Sequence, residues 1–386
     1  MKRIVLSLIF LVSVVTGGAQ RPIPTVRIAP EDRGAAPPAF FQMVKSLEYV
    51  PLETNDDCLI GAIKQMHITS RYILLYTSPS NLVYLFDRNG RFICQVGNKG
   101  GGPGEYNNVA INYLFMDESK QEIVVQSSHP NCLMFYDLKG KYLRSEALLP
   151  GRNEAGGCFI IHNSICMFSR MDRSAEYRYY LSPLSDLTKI SKRIQVTRVE
   201  HKDRSFTSIT GRGFHYLYNG AVYVRDNSLN DTIYRIGPDN TFTPYYVINA
   251  GKYEITAEIV GDVKNFLRRV KECLNYRSLF ETERELLLSY YYNEEVHYMG
   301  YNKATKQTYH FTGKNGMAND YDGGVDFWPW IQRGDHYYSY VLASDFLDHD
   351  NSIQPKGSAE AIKKVNQLKK RLTEEDNPVV IIATLR

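Results

Sequence analysis

Between Gly97 and Tyr106 the chain reads GNKGGGPGEY, with five glycines and a proline in its first eight residues. Such a run is the usual material of a phosphate-cradling loop. A P-loop needs Lys and Ser/Thr directly after its second fixed glycine, to reach the phosphates and the magnesium. Gly97 and Gly102 have the spacing, but Pro103 and Gly104 occupy those two positions. Proline also removes an N–H that a cradle would use. A dinucleotide fingerprint on Gly100 and Gly102 would need glycine at Glu105, and an apolar strand-like segment follows instead of a helix. Nucleotide chemistry is excluded, leaving Glu105 and Lys99 as possible ligand contacts.

Two further clusters carry chemistry. Asp320, Asp322 and Asp326 offer hard oxygen ligands within seven residues, the kind calcium takes. Their spacing resembles the start of an EF-hand loop, but the closing glutamate and flanking helices are missing. No other cofactor is indicated. The only tryptophans, Trp328 and Trp330, stand together in DFWPW, where they either wedge between packed elements or form a stacking platform. G-x-S-x-G and H-E-x-x-H are both absent, so hydrolase elbows and zincin helices are not signalled.

The elements that must position these residues are strands. NLVYLFDRNGRFICQVG (81–97) and NCLMFYDLKGKYLRSEA (131–147) share one grammar at an offset of fifty: an apolar strand ending in Asp, a turn closing on Gly, and a second strand. Weaker copies follow through the rest of the chain. Six units of about four strands predict an all-β, six-bladed β-propeller. The sixth unit lacks an outer strand, which VKSLEYVPLET (44–54) can supply, closing the ring with both chain ends in one blade. Helical spacing at Ile259, Val263, Phe266, Leu267, Val270 and Leu274, and again at Ile362, Val365, Leu368 and Leu372, predicts two helical insertions.

The N-terminus places the chain outside the cytoplasm. Lys2 and Arg3 precede an apolar run to Val15 and small residues to Ala19, the pattern of a cleaved signal peptide over 1–19. Residues 20–43 read as a Pro/Ala-rich leader with little order of its own, and 44–386 as a single propeller domain. The first cysteine is Cys58, so no lipid-anchoring cysteine follows the apolar run. The formal charge of +4 becomes +2 once Lys2 and Arg3 are removed, too little for a nucleic-acid-binding face. No later stretch is apolar enough to span a membrane. Six scattered cysteines form no zinc pattern, and Cys158 with Cys166 is the first disulfide candidate.

Several runs together carry a resemblance: G-x-G-G-G-P-G-E-Y, the opening Y-V-P-L-E-T (49–54), N-D-Y-D-G-G-x-x-F-W-P (319–329) and the closing D-N-P-V-V (376–380). They resemble a family of secreted six-bladed propellers of the Bacteroidetes type, whose function is largely unassigned. The resemblance implies the fold and no catalytic set. In that frame, crossover loops gather Glu105, Arg152, Arg212, His215, Asp320, Asp322, Asp326, Trp328 and Trp330 on one face. The expected activity is non-catalytic binding of a glycan, peptide or envelope protein by a secreted or periplasmic monomer. The alternative is a lactonase-like hydrolase or a lyase, working in the channel with a divalent cation.

Overall fold

A computed structural model describes residues 22–32, 34–106, 109–128, 131–148, 155–161, 164–169, 177–195, 214–225, 231–262, 264–349 and 352–386. Strand β1 (Thr25–Arg27) and the one-turn helix α1 (Phe40–Met43) lead into β2 (Val44–Pro51). The first antiparallel sheet is β3 (Ala62–Ile68), β4 (Tyr72–Ser78), β5 (Val83–Asp87) and β6 (Phe92–Val96). A two-residue parallel pair, β7 (Asn98–Lys99) and β8 (Glu105–Tyr106), links it onward. The second sheet is β9 (Val109–Asp117), β10 (Glu122–Ser128), β11 (Asn131–Asp137) and β12 (Tyr142–Ala147). The third is β13 (Ala155–Ile161), β14 (Ser164–Ser169), β15 (Tyr177–Pro183) and β16 (Lys192–Gln195).

Strands β17 (Phe214–Tyr218), β18 (Ala221–Arg225), β19 (Thr232–Ile236) and β20 (Phe242–Asn249) follow, then short helices α2 (Ala257–Gly261) and α3 (Phe266–Arg269). The fourth separate sheet is β21 (Asn275–Glu281), β22 (Glu285–Tyr292), β23 (Glu295–Asn302) and β24 (Thr308–His310). The chain ends with β25 (Ile331–Arg333), β26 (His336–Val341), α4 (Ala343–Asp348), α5 (Ala359–Lys369) and β27 (Val379–Leu385). The first strand of one sheet packs on the first strand of the next, β3 on β9 and β9 on β13, and β17 packs on β21 in the same way. This radial repetition of sheets is an all-β, propeller-like fold.

Middle strands are buried on both faces, because each sheet packs against two neighbours. Ile73, Leu74 and Leu75 in β4 are all fully buried. Leu74, Tyr76, Val83 and Leu85 of the first sheet meet Met116, Ile123, Val125 and Tyr136 of the second. Burying each such side chain contributes about 1.5–3 kcal/mol relative to exposing it. The fifty-residue repeat is visible in its turns. Asp87 Oδ1 accepts from the N–H groups of Asn89 and Arg91 at 2.8 and 3.0 Å. Asp137 Oδ1 does the same for Lys139 and Lys141 at 2.9 Å each. Gly90 and Gly140 complete these turns at φ of 86° and 78°, where a side chain would be strained.

Four sequence expectations change. Four separate four-stranded blades are found, not six. Apart from the β7–β8 pair, the remaining strands described form one nine-stranded sheet in the order β1-β20-β19-β18-β17-β25-β26-β27-β2. Its two halves join where β17 and β25 pair in parallel at a single residue pair, Leu217 with Arg333, and Gly334 N–H donates to Leu217 O at 3.0 Å. The described part of the expected leader is packed rather than loose: β1 adds to the edge of β20, and Val26, Ile28, Phe40 and Met43 are buried. The first helical insertion is broken after Gly261, because Asp262 accepts from Asn265 N–H at 3.3 Å and its carboxylate holds Arg269 at 3.3 Å, leaving Leu267 exposed. In α5 the expected face holds, with Val365 and Leu368 buried. Cys166 is a free thiol in the interior, facing Phe159 of the neighbouring strand, so the Cys158–Cys166 bridge is absent. The expected signal peptide lies outside the described residues.

Candidate functional site

The DFWPW run forms one wall of a cavity of about 860 Å³. Ala62, Phe214 and Asn275, the first residues of β3, β17 and β21, line it as well, so it opens over the starting ends of the inner strands. Trp328 is fixed by its indole N–H, which donates to Ser278 Oγ at 2.9 Å, and by Tyr298, whose ring centroid is 4.8 Å away. Trp330 is held by Tyr340 at 5.2 Å, and Tyr340 OH is anchored on Ile63 O at 3.0 Å. Packing thus sets both indoles before any ligand arrives, which lowers the entropy cost of binding.

Charges ring the aromatic wall. Asp326 Oδ2 accepts from Asn315 N–H at 3.3 Å, while its Oδ1 stands 3.9 Å from His349 Nε2. Asp345 on α4 is exposed at the rim. Arg277 is exposed opposite, its guanidinium 4.5 Å from the Tyr291 ring centroid. The groove therefore offers aromatic faces, two carboxylates, a guanidinium and an imidazole to a polar guest, the usual make-up of a small-ligand site.

The other predicted residues do not converge there. Asp320 is buried and committed: Oδ1 accepts from Phe41 N–H at 2.7 Å and Oδ2 pairs with Lys356 at 3.0 Å. Asp322 is buried too, its Oδ1 accepting from Asn319 at 2.8 Å, Gly324 N–H at 3.0 Å and Tyr49 OH at 3.1 Å. Burial raises its pKa above the ordinary carboxylate value, with those donors opposing the shift. The three aspartates serve three different contacts, and no group of three or more His, Cys, Asp or Glu among the described residues is placed to hold a metal ion. Glu105 turns back on its own loop, where Oε2 accepts from Gly102 N–H at 2.8 Å. Arg152 and Arg212 lie outside the described residues.

His215 lies along the inner face of β17, its ring stacked on Phe159 at 4.4 Å. It keeps solvent-accessible surface yet sits deep in the protein. Removal from bulk water, with a smaller contribution from the Arg333 charge, pushes its imidazole down to about 4. Sequence reasoning missed Arg277, Tyr298, Tyr340, His349 and Arg333. For the four strand residues only strand alternation could have singled them out, and His349, just past α4, carries no signal at all, since none of the five sits in a motif.

Residues 32–384 match the family described as "Domain of unknown function (DUF4934)". The chain belongs to that family. This DUF4934 protein is also similar to a solved "Putative exported protein" from Bacteroides fragilis NCTC 9343, with 18% identity and a TM-score of 0.68 over 94% of this chain and 99% of that one. A member of the DUF4221 family from Bacteroides vulgatus is similar at 10% identity and a TM-score of 0.51, over 89% of this chain and 97% of that one. No curated protein matches the DUF4934 chain. At these identities the structures bear on fold alone. No helix among the described residues is long and apolar enough to cross a membrane.

Proposed function

We propose that this DUF4934 protein is an exported, non-catalytic binding propeller whose groove at Trp328 and Trp330 takes a carbohydrate chain. One observation carries the reading: two pre-set indoles face a single cavity that also holds Asp326, Asp345 and Arg277. Rigid aromatic faces suit the apolar side of sugar rings, and the charged groups suit their hydroxyls. In this reading the nine-stranded sheet is two blades joined at Leu217 and Arg333, giving six in all. The antiparallel pairing of β2 with β27, from Val44–Leu385 to Pro51–Val379, then closes the ring. Residues 1–19 direct export to the periplasm or beyond, and the mature chain acts as a monomer.

The test is a glycan and peptide array probed with residues 20–386, followed by titration calorimetry on any hit. Trp330→Ala is expected to weaken a glycan hit about thirtyfold or more, as loss of a central aromatic anchor does. Arg277→Ala and Asp345→Asn, both exposed, test the groove without touching the core. Peptide hits that depend on Trp330 in place of glycans would replace the sugar with a peptide or envelope protein. A chelator-sensitive turnover of any hit would overturn the non-catalytic reading.

A further inference from the structure

The far ends of the inner strands hold a cation that the groove does not use. Arg333 closes β25, and its Cα is paired with that of Leu217 in β17, so the two side chains emerge on the same side. Its guanidinium donates to His67 Nδ1 of β3 at 2.6 Å. Because arginine can only donate, His67 must accept at Nδ1, which puts its proton on Nε2. Phe115 of β9 stands edge-on to His67 at 5.3 Å, and Phe159 of β13 stacks on His215. His67 of β3 thus touches the guanidinium carried by β25 beside Leu217 of β17, and Phe115 of β9 and Phe159 of β13 pack on the two imidazoles.

No carboxylate among the described residues pairs with Arg333, and His67 takes a single one of its donors. A guanidinium fork presents parallel N–H groups that match a carboxylate or phosphate. Holding it inside the fold without a counter-charge is costly. Burial, with the Arg333 charge second, displaces both neighbouring imidazoles downward and keeps them neutral. Leu217 is 39% exposed on a strand paired along both edges, which marks open space beside the guanidinium.

We propose that Arg333, braced by His67 and flanked by His215, forms an oxyanion site among the inner strands, taking a carboxylate or phosphate group. The anion sits on the free edge of the Arg333 fork, with Leu217, Phe115 and Phe159 shaping the surrounding wall. His67 lies five residues along β3 from the groove-lining Ala62, about 17 Å at the rise of an extended strand. The Arg333–His67 contact is therefore set back from the groove wall, His215 being the member nearest it beside groove-lining Phe214, and the proposal does not depend on the carbohydrate reading.

The experiment follows the histidine ring resonances of residues 20–386 by NMR while inorganic phosphate or acetate is added in separate titrations. Saturable shifts of His67 and His215, with exposed His336 unmoved, are expected for at least one of the two. Phosphate alone points to a phosphoryl ligand, and acetate alone to a carboxylate. Arg333→Lys keeps charge without the fork and should weaken the binding about tenfold or more. Leu217→Glu changes an exposed position and places a carboxylate beside Arg333, so it should abolish the response while the protein stays folded. Absence of saturation, or a response unaltered by Leu217→Glu, overturns the proposal. Trp330→Ala should leave both titrations unchanged, which separates failure here from failure of the groove.

Discussion

Lys303→Met is the sharpest test of what joins the fourth sheet to the nine-stranded one. Glu281, at the end of β21, is wholly buried. Its Oε2 accepts from Tyr216 OH of β17 at 2.9 Å, and its Oε1 from Tyr245 OH of β20 at 2.7 Å. Lys303 Nζ, from the turn after β23, pairs with the same Oε1 and donates to Thr282 O at 2.7 Å. Removing the ammonium leaves the carboxylate inside with two hydroxyl donors and no counter-charge. Breaking a buried pair from one side costs about 3–5 kcal/mol. Adding Glu281→Gln removes the stranded charge while an amide oxygen still accepts from a tyrosine. The double variant should thus be more stable than Lys303→Met alone, with a coupling energy of about 1–3 kcal/mol. The assay is urea unfolding followed by the fluorescence of Trp328 and Trp330, compared at equal slope. A cost below about 1 kcal/mol for Lys303→Met, or a double variant no better than the single one, would refute the claim that this charge is balanced by Lys303.

Two other outcomes are expected. His67 and His215 are held neutral in the fold, displaced below the ordinary 6.5, with His215 near 4. The unfolded chain then binds more protons below 6.5, so their contribution is complete above that pH and is lost as pH falls toward about 4. Thermal unfolding across this window should drop more steeply for wild type than for His215→Gln, and equal slopes would contradict the assignment. Gly140→Ala should destabilise more than Gly220→Ala. Both glycines have positive φ, but a Cβ at Gly140 would lie 2.1 Å from Gln95 O, whereas Gly220 has open space. Left-handed backbone alone costs about 1–2 kcal/mol, so urea midpoints that shift equally would show that the clash relaxes away.

Legibility in the sequence followed the range of the interaction. The hairpin turns at Asp87–Gly90 and Asp137–Gly140 are local, and their side chains announce them. Four sheets followed from that grammar. Joining of β17–β20 to the strands from β25 onward rests on one residue pair between Leu217 and Arg333, more than a hundred positions apart, and no period encodes it. The leader was misread because Pro and Ala hide the buried Val26, Ile28 and Phe40, whose partners lie across the fold. In the site, the tryptophans were legible by rarity, whereas Arg277, Tyr298 and Arg333 look like ordinary strand residues until the sheets are assembled.

The signature motifs themselves turn out to hold one another. Asn377 of the closing motif accepts from Ile60 N–H at 2.7 Å and donates to Glu53 O of the opening motif and to Cys58 O at 2.6 and 2.7 Å. Tyr49 of the opening motif donates to Asp322 of the N-D-Y-D-G-G run at 3.1 Å, and Asn319 of that run binds both. In the glycine run, buried Tyr106 accepts from Val83 N–H and donates to Val96 O at 3.0 Å each, fastening the loop to its own sheet. Each motif supplies buried polar groups with partners that only another part of the fold provides, and leaving such groups unpaired costs about 1–3 kcal/mol each. That is sufficient reason for those residues without any chemistry performed on a ligand. What the braces leave free are the outward faces of Trp328 and Trp330, the charges on Asp345 and Arg277, and the fork of Arg333. A search for function in this fold therefore belongs at those groups and not at its most conspicuous sequence.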